Sequence, residues 1–175
     1  MTNTALLIVD VQVAMFSPLE GPPVWQGERV LHNIDLLLEN ARETGMPVIF
    51  IQHTNPEDPE YAEGLPTWHI HPEIEPKPGE PVVRKRWWDS FQGTELQTVL
   101  ETLGITHLII VGMQTEYCLD TTVRSALGRE YRVTLVSDGH TTFDTPLLRA
   151  EQIIAHHNRV LSGRTDIKLT REIFF

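Results

Sequence analysis

The sequence predicts an α/β protein of three layers, in which helices cover both faces of a parallel sheet. Short apolar runs rich in branched residues recur along the 175-residue chain, and such runs are typical of strands buried on both faces. Segments with the apolar spacing of one helical face lie between them. About six strands alternate with helices in this way. The strand–helix–strand order predicts right-handed parallel crossovers.

The amino-terminal part opens with a predicted strand over residues 5–9, which Asp10 follows directly. A carboxylate at the carboxyl end of a parallel strand lies where open α/β sheets build their sites. A loop-capping role is the alternative for Asp10. Residues 11–27 form a predicted loop, residues 28–44 a helix, and residues 47–51 the second strand.

The least regular region is residues 54–81, which hold seven of the twelve prolines. A loop of this length in a compact domain is typical of a segment that covers a site or makes contacts. His53, His69 and His71 raise the alternative of a metal site. No fixed carboxylate lies near them in the sequence, so surface or hydrogen-bonding histidines are the favoured interpretation.

A short predicted strand at residues 82–83 runs into the basic cluster Arg84, Lys85 and Arg86. Such a cluster is usually a solvated face. One cation at the strand end could instead point into a site, and the spacing alone does not select which. The next helix is predicted to begin at Thr94, where residues 94–97 fit a capping box.

The stretch over residues 107–122 organises the second half of the chain. An apolar run over residues 108–111 predicts a strand, and Thr115 stands where the N-cap of the next helix is expected. Cys118 would then lie in the first helical turn, where free N–H groups and the helix dipole favour a thiolate. A buried, inert thiol is the usual fate of a lone cysteine. The strand–glycine–turn–helix setting favours a nucleophile that reacts well below the pH at which free cysteine does.

The remaining elements are a strand over residues 132–137, a helix opened by Asp144 and Pro146, and an edge strand over residues 166–170. Asp10, Lys85 and Cys118 would all lie at strand exits on one edge of the sheet. That convergence is the strongest argument from the residues for a catalytic site.

Aromatic residues flank these three positions and could form pocket walls, although core packing explains each of them equally well: Phe16, Trp25, Trp88 and Tyr117. Gln52 and His53, at the exit of the second strand, could hydrogen-bond a substrate.

Composition limits the function classes. A net charge of -10 argues against nucleic acid, which needs clustered cations. One cysteine cannot form an internal disulfide, which favours a reducing compartment. Neither a signal peptide nor an apolar run long enough to span a membrane is visible. We therefore expect a single soluble domain over residues 1–175, located in the cytoplasm.

Three blocks of sequence, in order, are similar to the isochorismatase-like cysteine hydrolases: residues 7–12 (LIVDVQ), residues 83–96 and residues 112–118 (GMQTEYC). The resemblance covers nearly the whole chain. It implies a Rossmann-like sheet of order 3-2-1-4-5-6 and a catalytic triad at Asp10, Lys85 and Cys118. It also implies a cis peptide bond between Met113 and Gln114, with the backbone amides of Gln114 and Cys118 forming an oxyanion hole.

The resemblance further implies hydrolysis of an amide, carbamoyl or lactam C–N bond of a small molecule. Family members that cleave nicotinamide carry an Asp-x-His metal motif, but Ile51 stands at the aspartate position here, so we expect no catalytic zinc and no cofactor. Vinyl-ether hydrolysis, for which relatives lack the cysteine, and a catalytically silent binding protein are the alternatives. Family members are commonly homo-oligomers, which predicts a dimer or tetramer.

Overall fold

The structure, a computed structural model, describes residues 3–174 of the chain. Six strands alternate with helices: β1 (Thr4–Val9), β2 (Val48–His53), β3 (Val82–Lys85), β4 (His107–Met113), β5 (Arg132–Thr141) and β6 (Asp166–Lys168). The α-helices are α1 (Val13–Phe16), α2 (Gly27–Thr44), α3 (Leu96–Thr102), α4 (Asp120–Gly128) and α5 (Ala150–Leu161). In the described part of the chain, no helix is both long enough and apolar enough to cross a membrane.

The six strands form one sheet in the order β3-β2-β1-β4-β5-β6, which confirms the predicted order. All neighbouring strands are parallel. β1 lies inside the sheet, where Leu6 is opposite Val48 of β2 and Ile109 of β4. The carboxyl ends of β1, β2, β3 and β4 therefore meet at one edge.

The sheet separates two apolar cores, and the alternation along β1 shows the division. Leu7 and Val9 face a core shared with α3 and α4, whereas Leu6 and Ile8 face a core built largely from α2. Because successive side chains of a strand point to opposite faces, both faces of β1 are buried. This explains why its sequence is a continuous apolar run.

Two helix starts differ from the prediction. α3 begins at Leu96 rather than at Thr94, and the Thr94 hydroxyl accepts a hydrogen bond from the Leu96 N–H at 3.2 Å. α5 begins at Ala150, and Asp144 caps it from six residues away, through an Ala150 N–H to Asp144 Oδ1 bond of 2.7 Å. In both cases the polar side chain satisfies a helix N–H group, but one residue separates Thr94 from α3 and a five-residue loop separates Asp144 from α5.

Gly112 lets β1 and β4 approach each other closely at the functional edge. A Cβ atom at this position would lie 2.0 Å from the Val9 carbonyl oxygen, and the backbone φ is +128°. Only glycine fits both the conformation and the space. The next residue of the chain after Val9 is Asp10, so this close approach helps to position that carboxylate.

Candidate active site

The carboxyl edge of the sheet carries a buried ion pair. Asp10 follows β1, and its Oδ2 atom lies 2.7 Å from Nζ of Lys85, the last residue of β3. β2 lies between these two strands, which are therefore roughly 10 Å apart, and the two side chains bridge that distance together. Lys85 Nζ also donates to the Trp87 carbonyl at 3.0 Å. Of the three cations in the basic cluster, Lys85 is therefore the one directed inward.

Asp10 combines complete burial with an unusual backbone and one free carboxylate oxygen. Its φ is +51°, in the left-handed region that non-glycine residues occupy uncommonly. The Lys85 ammonium holds Oδ2 as an ion pair, and Oδ1 has no N–H or O–H donor among residues 3–174. A buried carboxylate with an unused oxygen can accept a proton from a group placed beside it.

Cys118 lies in a π-helical turn, Thr115–Leu119, that joins β4 to α4. Such turns occur frequently at functional sites. Thr115 is not the N-cap that the sequence predicts, because Gln114 occupies that position without a side-chain cap. The Thr115 hydroxyl instead bonds Nδ1 of His140 at 2.9 Å. The peptide bond between Met113 and Gln114 is cis.

His140 supports this turn from β5. It is fully buried, and its Nε2 atom lies 3.0 Å from Asn158 Oδ1, while the Asn158 amide donates to the Ser137 carbonyl. This network assigns the proton to Nε2, so Nδ1 accepts from Thr115. Burial lowers the pKa of His140 to about 4, which keeps the imidazole neutral.

The electrostatics of Cys118 differ from the expectation of a stabilised thiolate. Burial raises the pKa of its thiol well above the usual range, and the neighbouring Asp10 carboxylate raises that pKa further, whereas Lys85 lowers it. Without ligand, the protonated thiol is therefore the stable form. Burial of the sulfur and its proximity to the Asp10 carboxylate therefore set the direction of the shift.

A cavity of about 250 Å³ opens onto the thiol. Its walls include six residues that the sequence proposes for the site: Asp10, His53, Trp88, Gln114, Tyr117 and Cys118. Three lining residues were not predicted: Met15, Asp58 and Tyr61. Met15 lies in α1, and the other two lie in the long loop. The sequence offers only the aromatic residues of that loop as a sign that it lines the site, because nothing in the sequence determines how the loop packs against the cavity.

Three residues proposed as pocket walls lie outside this cavity. Phe16 packs against His71, with ring centroids 4.6 Å apart. The Arg29 guanidinium lies over the Trp25 ring, with its central carbon 5.8 Å from the ring centroid. The Gln52 amide is buried and donates to the Trp68 carbonyl at 3.1 Å. These side chains support the loops around the cavity.

Gln12 anchors the long loop beside the cavity. Its Nε2 atom donates to the carbonyls of Trp68 (2.6 Å) and His53 (3.0 Å), and its Oε1 atom accepts from the His53 N–H at 2.8 Å. A fully buried amide with three such bonds holds both segments in one geometry. His53 is thereby held at the cavity wall, where its Nδ1 atom is buried and without a partner in the described chain.

The opposite wall is aromatic. Trp88 and Tyr117 meet edge to face with ring centroids 5.0 Å apart, and both are substantially exposed, at 58 % and 38 %. The segment that carries Trp88 is attached to α4, because the Ser90 and Thr122 hydroxyls lie 2.7 Å apart. The rings thus form a fixed rim around the entrance to the thiol.

The three histidines that raised the metal alternative do not converge. His53 lies at the cavity, His69 packs on Trp68, and the His71 ring accepts from the Glu73 N–H. Within residues 3–174, no group of three or more His, Cys, Asp or Glu side chains is arranged to hold a metal ion.

Comparisons with known proteins agree with this architecture. A family model described as the isochorismatase domain matches residues 4–156. The chain is 33% identical to YddQ of Bacillus subtilis, named an uncharacterized isochorismatase family protein, over 98% of both chains. It is also 40% identical to a streptothricin hydrolase of Streptomyces noursei over 81% of this chain, but it spans only about half (56%) of that protein.

A further relative is the ureidoacrylate amidohydrolase RutB of Caulobacter segnis, 30% identical over 78% of this chain and 71% of the relative. Among solved structures, an isochorismatase from Pseudomonas putida KT2440 superposes with a TM-score of 0.92 at 29% identity, covering 98% of this chain and 90% of that one. The family match, the relatives and the shared sheet order lead to one conclusion. The chain belongs to the isochorismatase family.

Proposed function

We propose that the protein is a cysteine-dependent hydrolase that cleaves an amide, carbamoyl or lactam C–N bond of a small molecule. One observation carries the proposal: a thiol and a carboxylate with a free oxygen share a cavity, and that carboxylate is paired with a buried lysine. The name of one relative, ureidoacrylate amidohydrolase, supports C–N hydrolysis over vinyl-ether cleavage, and that of another, streptothricin hydrolase, supports hydrolysis.

In the proposed first step, the Cys118 sulfur attacks the carbonyl carbon while its proton passes to Asp10. The raised pKa of the thiol supports simultaneous attack and proton transfer, because little free thiolate would form before the attack. Before the proton is transferred, the positive charge of Lys85 neutralises the Asp10 carboxylate. The backbone amides of Gln114 and Cys118 would bind the oxyanion, and one such donor typically contributes about 10²–10³ in rate.

The second half returns the protein to its starting state. Protonated Asp10 gives its proton to the leaving nitrogen as the C–N bond breaks, which leaves a thioester on Cys118. Asp10 then takes a proton from water, the water oxygen attacks the thioester carbon, and Asp10 returns that proton to the departing Cys118 sulfur as the acid is released. Atoms and charges balance without a cofactor.

The test is release of ammonia or amine from a panel of small amides, ureas and lactams. Cys118→Ala and Cys118→Ser are expected to lose turnover, and intact mass spectrometry should detect an acyl adduct in the wild type that Cys118→Ala lacks. Matching melting temperatures would show that both variants fold. Full turnover in either variant would exclude the nucleophile, and ligand binding without turnover in the wild type would favour the binding-protein alternative.

Assembly and location stay predictions. We propose a homo-oligomer, dimer or tetramer, in the cytoplasm, with residues 1–175 acting as one domain. Analytical ultracentrifugation of the purified chain measures the oligomeric state directly, and a monomer at micromolar concentration would contradict the proposed homo-oligomer.

A further inference from the structure

The cavity over Cys118 carries one carboxylate that the proposed reaction does not use. Asp58 lies in the loop between β2 and β3 and lines the cavity together with Tyr61 and Met15. Its Oδ1 atom accepts from the N–H groups of Glu60 (2.8 Å) and Tyr61 (3.3 Å). These two bonds orient the carboxylate, and they leave Oδ2 available to a ligand.

No cation of the described chain neutralises Asp58. The ion pairs found among residues 3–174 do not include it. Lys85, a buried cation, is already paired with Asp10 at 2.7 Å. His53, which also lines the cavity, has its pKa lowered by burial and so is neutral at neutral pH. The empty cavity therefore carries the net negative charge of Asp58.

The rest of the wall suits a positive group as well. Tyr61, Trp88 and Tyr117 present aromatic rings to the cavity, and the faces of such rings attract cations. A carboxylate oriented by backbone amides, beside aromatic rings and without a competing cation, is an arrangement that binds an ammonium or guanidinium group. The same arrangement repels a carboxylate.

We propose that the substrate of this site is an amide bearing a cationic group, ammonium or guanidinium, which Asp58 and the aromatic wall bind while the scissile carbonyl lies at Cys118. This inference rests on the proposed function and adds the class of substrate. Asp58 acts in it as a specificity-determining residue rather than in bond cleavage.

The test uses three matched series of short amides that differ only in the terminal group: ammonium, methyl or carboxylate, separated from the amide by two to five methylenes. We expect kcat/KM for the best ammonium amide to exceed that of its methyl counterpart at least tenfold, and the carboxylate series to be the poorest. In Asp58→Asn, the ammonium advantage should fall to within about twofold, because the amide oxygen still accepts the two loop N–H groups but carries no charge.

Glu57→Gln is the matched control, since it removes one negative charge from an exposed neighbour in the same loop. It should retain at least half of the ammonium preference. Equal kcat/KM for the ammonium and methyl series, or an unchanged preference in Asp58→Asn, would overturn the inference while leaving the hydrolase proposal standing.

A binding measurement covers the case in which no amide of the series is turned over. Cys118→Ala titrated calorimetrically with the ammonium and methyl amides should bind the ammonium series at least tenfold more tightly, and Asp58→Asn in that background should abolish the difference. Equal or absent binding of the ammonium series would overturn the inference. Turnover that persists in Cys118→Ala would instead contradict the proposed function.

Discussion

Two buried polar groups lie at the same edge of the sheet, and they differ in charge and in how completely their atoms are hydrogen-bonded. The Asp10–Lys85 pair is charged, and Asp10 Oδ1 has no N–H or O–H donor among residues 3–174. The network of Thr115, His140 and Asn158 is neutral, and both ring nitrogens of His140 are engaged. A satisfied neutral network holds the turn that carries Cys118 in place. The charged pair, in which only Asp10 Oδ1 lacks a partner, provides the atoms for which we propose chemistry.

Removal of the charge of Asp10 should produce the largest effect. Asp10→Asn is expected to lower kcat for the best amide of the panel by about 10²–10⁴, because the proton acceptor is lost. The same change should speed labelling of Cys118 by iodoacetamide at a given pH, since the carboxylate raises the thiol pKa and Lys85 lowers it. Mass spectrometry measures labelling unambiguously, because the chain has one cysteine. Slower labelling would contradict this account of the charges.

The charged pair should also be the more fragile of the two groups when only one partner is removed. Lys85→Met leaves Asp10 buried without a counterion, which we expect to lower the free energy of unfolding in urea by about 3–5 kcal/mol. The double variant Asp10→Asn/Lys85→Met should recover most of that loss but no activity. A double variant as unstable as the single one would show that the pair does not act as a unit.

The neutral network should instead respond to acid. The pKa of His140 is lowered in the folded protein, from an ordinary 6.5 to about 4, so its contribution to stability is complete above pH 6.5 and is lost as the pH falls through that interval. The loss should reach on the order of 3 kcal/mol by pH 4. Urea unfolding between pH 7 and 4 measures it.

Two variants separate the contribution of His140 from general acid effects. His140→Gln should flatten the pH dependence of stability, whereas His156→Gln, which changes an exposed histidine of α5, should reproduce the wild-type curve. Parallel curves for wild type and His140→Gln would assign the acid sensitivity to other groups.

The smallest expected effect comes from one hydroxyl of the network. Thr115→Val keeps the shape but leaves Nδ1 of His140 without its donor, so stability should fall by about 1–3 kcal/mol. Looser support of the turn should lower kcat more than it changes KM. Thr121→Val, at a partly exposed position of α4, is the control and should stay within about 0.5 kcal/mol of wild type. Equal effects of the two substitutions would remove Thr115 from the support of the turn.

The sheet could be predicted from the sequence because burial on both faces leaves an unmistakable pattern. The runs that became β1, β2 and β4 are apolar throughout, and a polar residue follows or ends each of them at the functional edge. Asp10 and Lys85 were placed at strand exits for this reason. The strand order itself came from the family resemblance, since apolar runs carry no information on which strands are neighbours.

The loops resisted prediction for an equally physical reason. Asp58 and Tyr61 reach the cavity because Gln12 holds the loop through the carbonyls of His53 and Trp68, contacts between residues 41 and 56 positions apart. No local pattern records such pairing. The protonation of Cys118 escapes prediction for a similar reason. The sequence predicts a helix start that favours a thiolate, but burial and Asp10, which is distant in the chain, raise the pKa of the thiol.

The exposed indole of Trp88 gives the entrance an optical property. A ligand that enters the cavity would displace water from a ring that is now 58 % exposed, and dehydration of an indole shifts its fluorescence to shorter wavelength. Trp25, Trp68 and Trp87 do not line the cavity, so their emission would form a constant background. Occupancy of the site can therefore be followed by the intrinsic emission of the unlabelled protein, even for compounds that are bound but never cleaved.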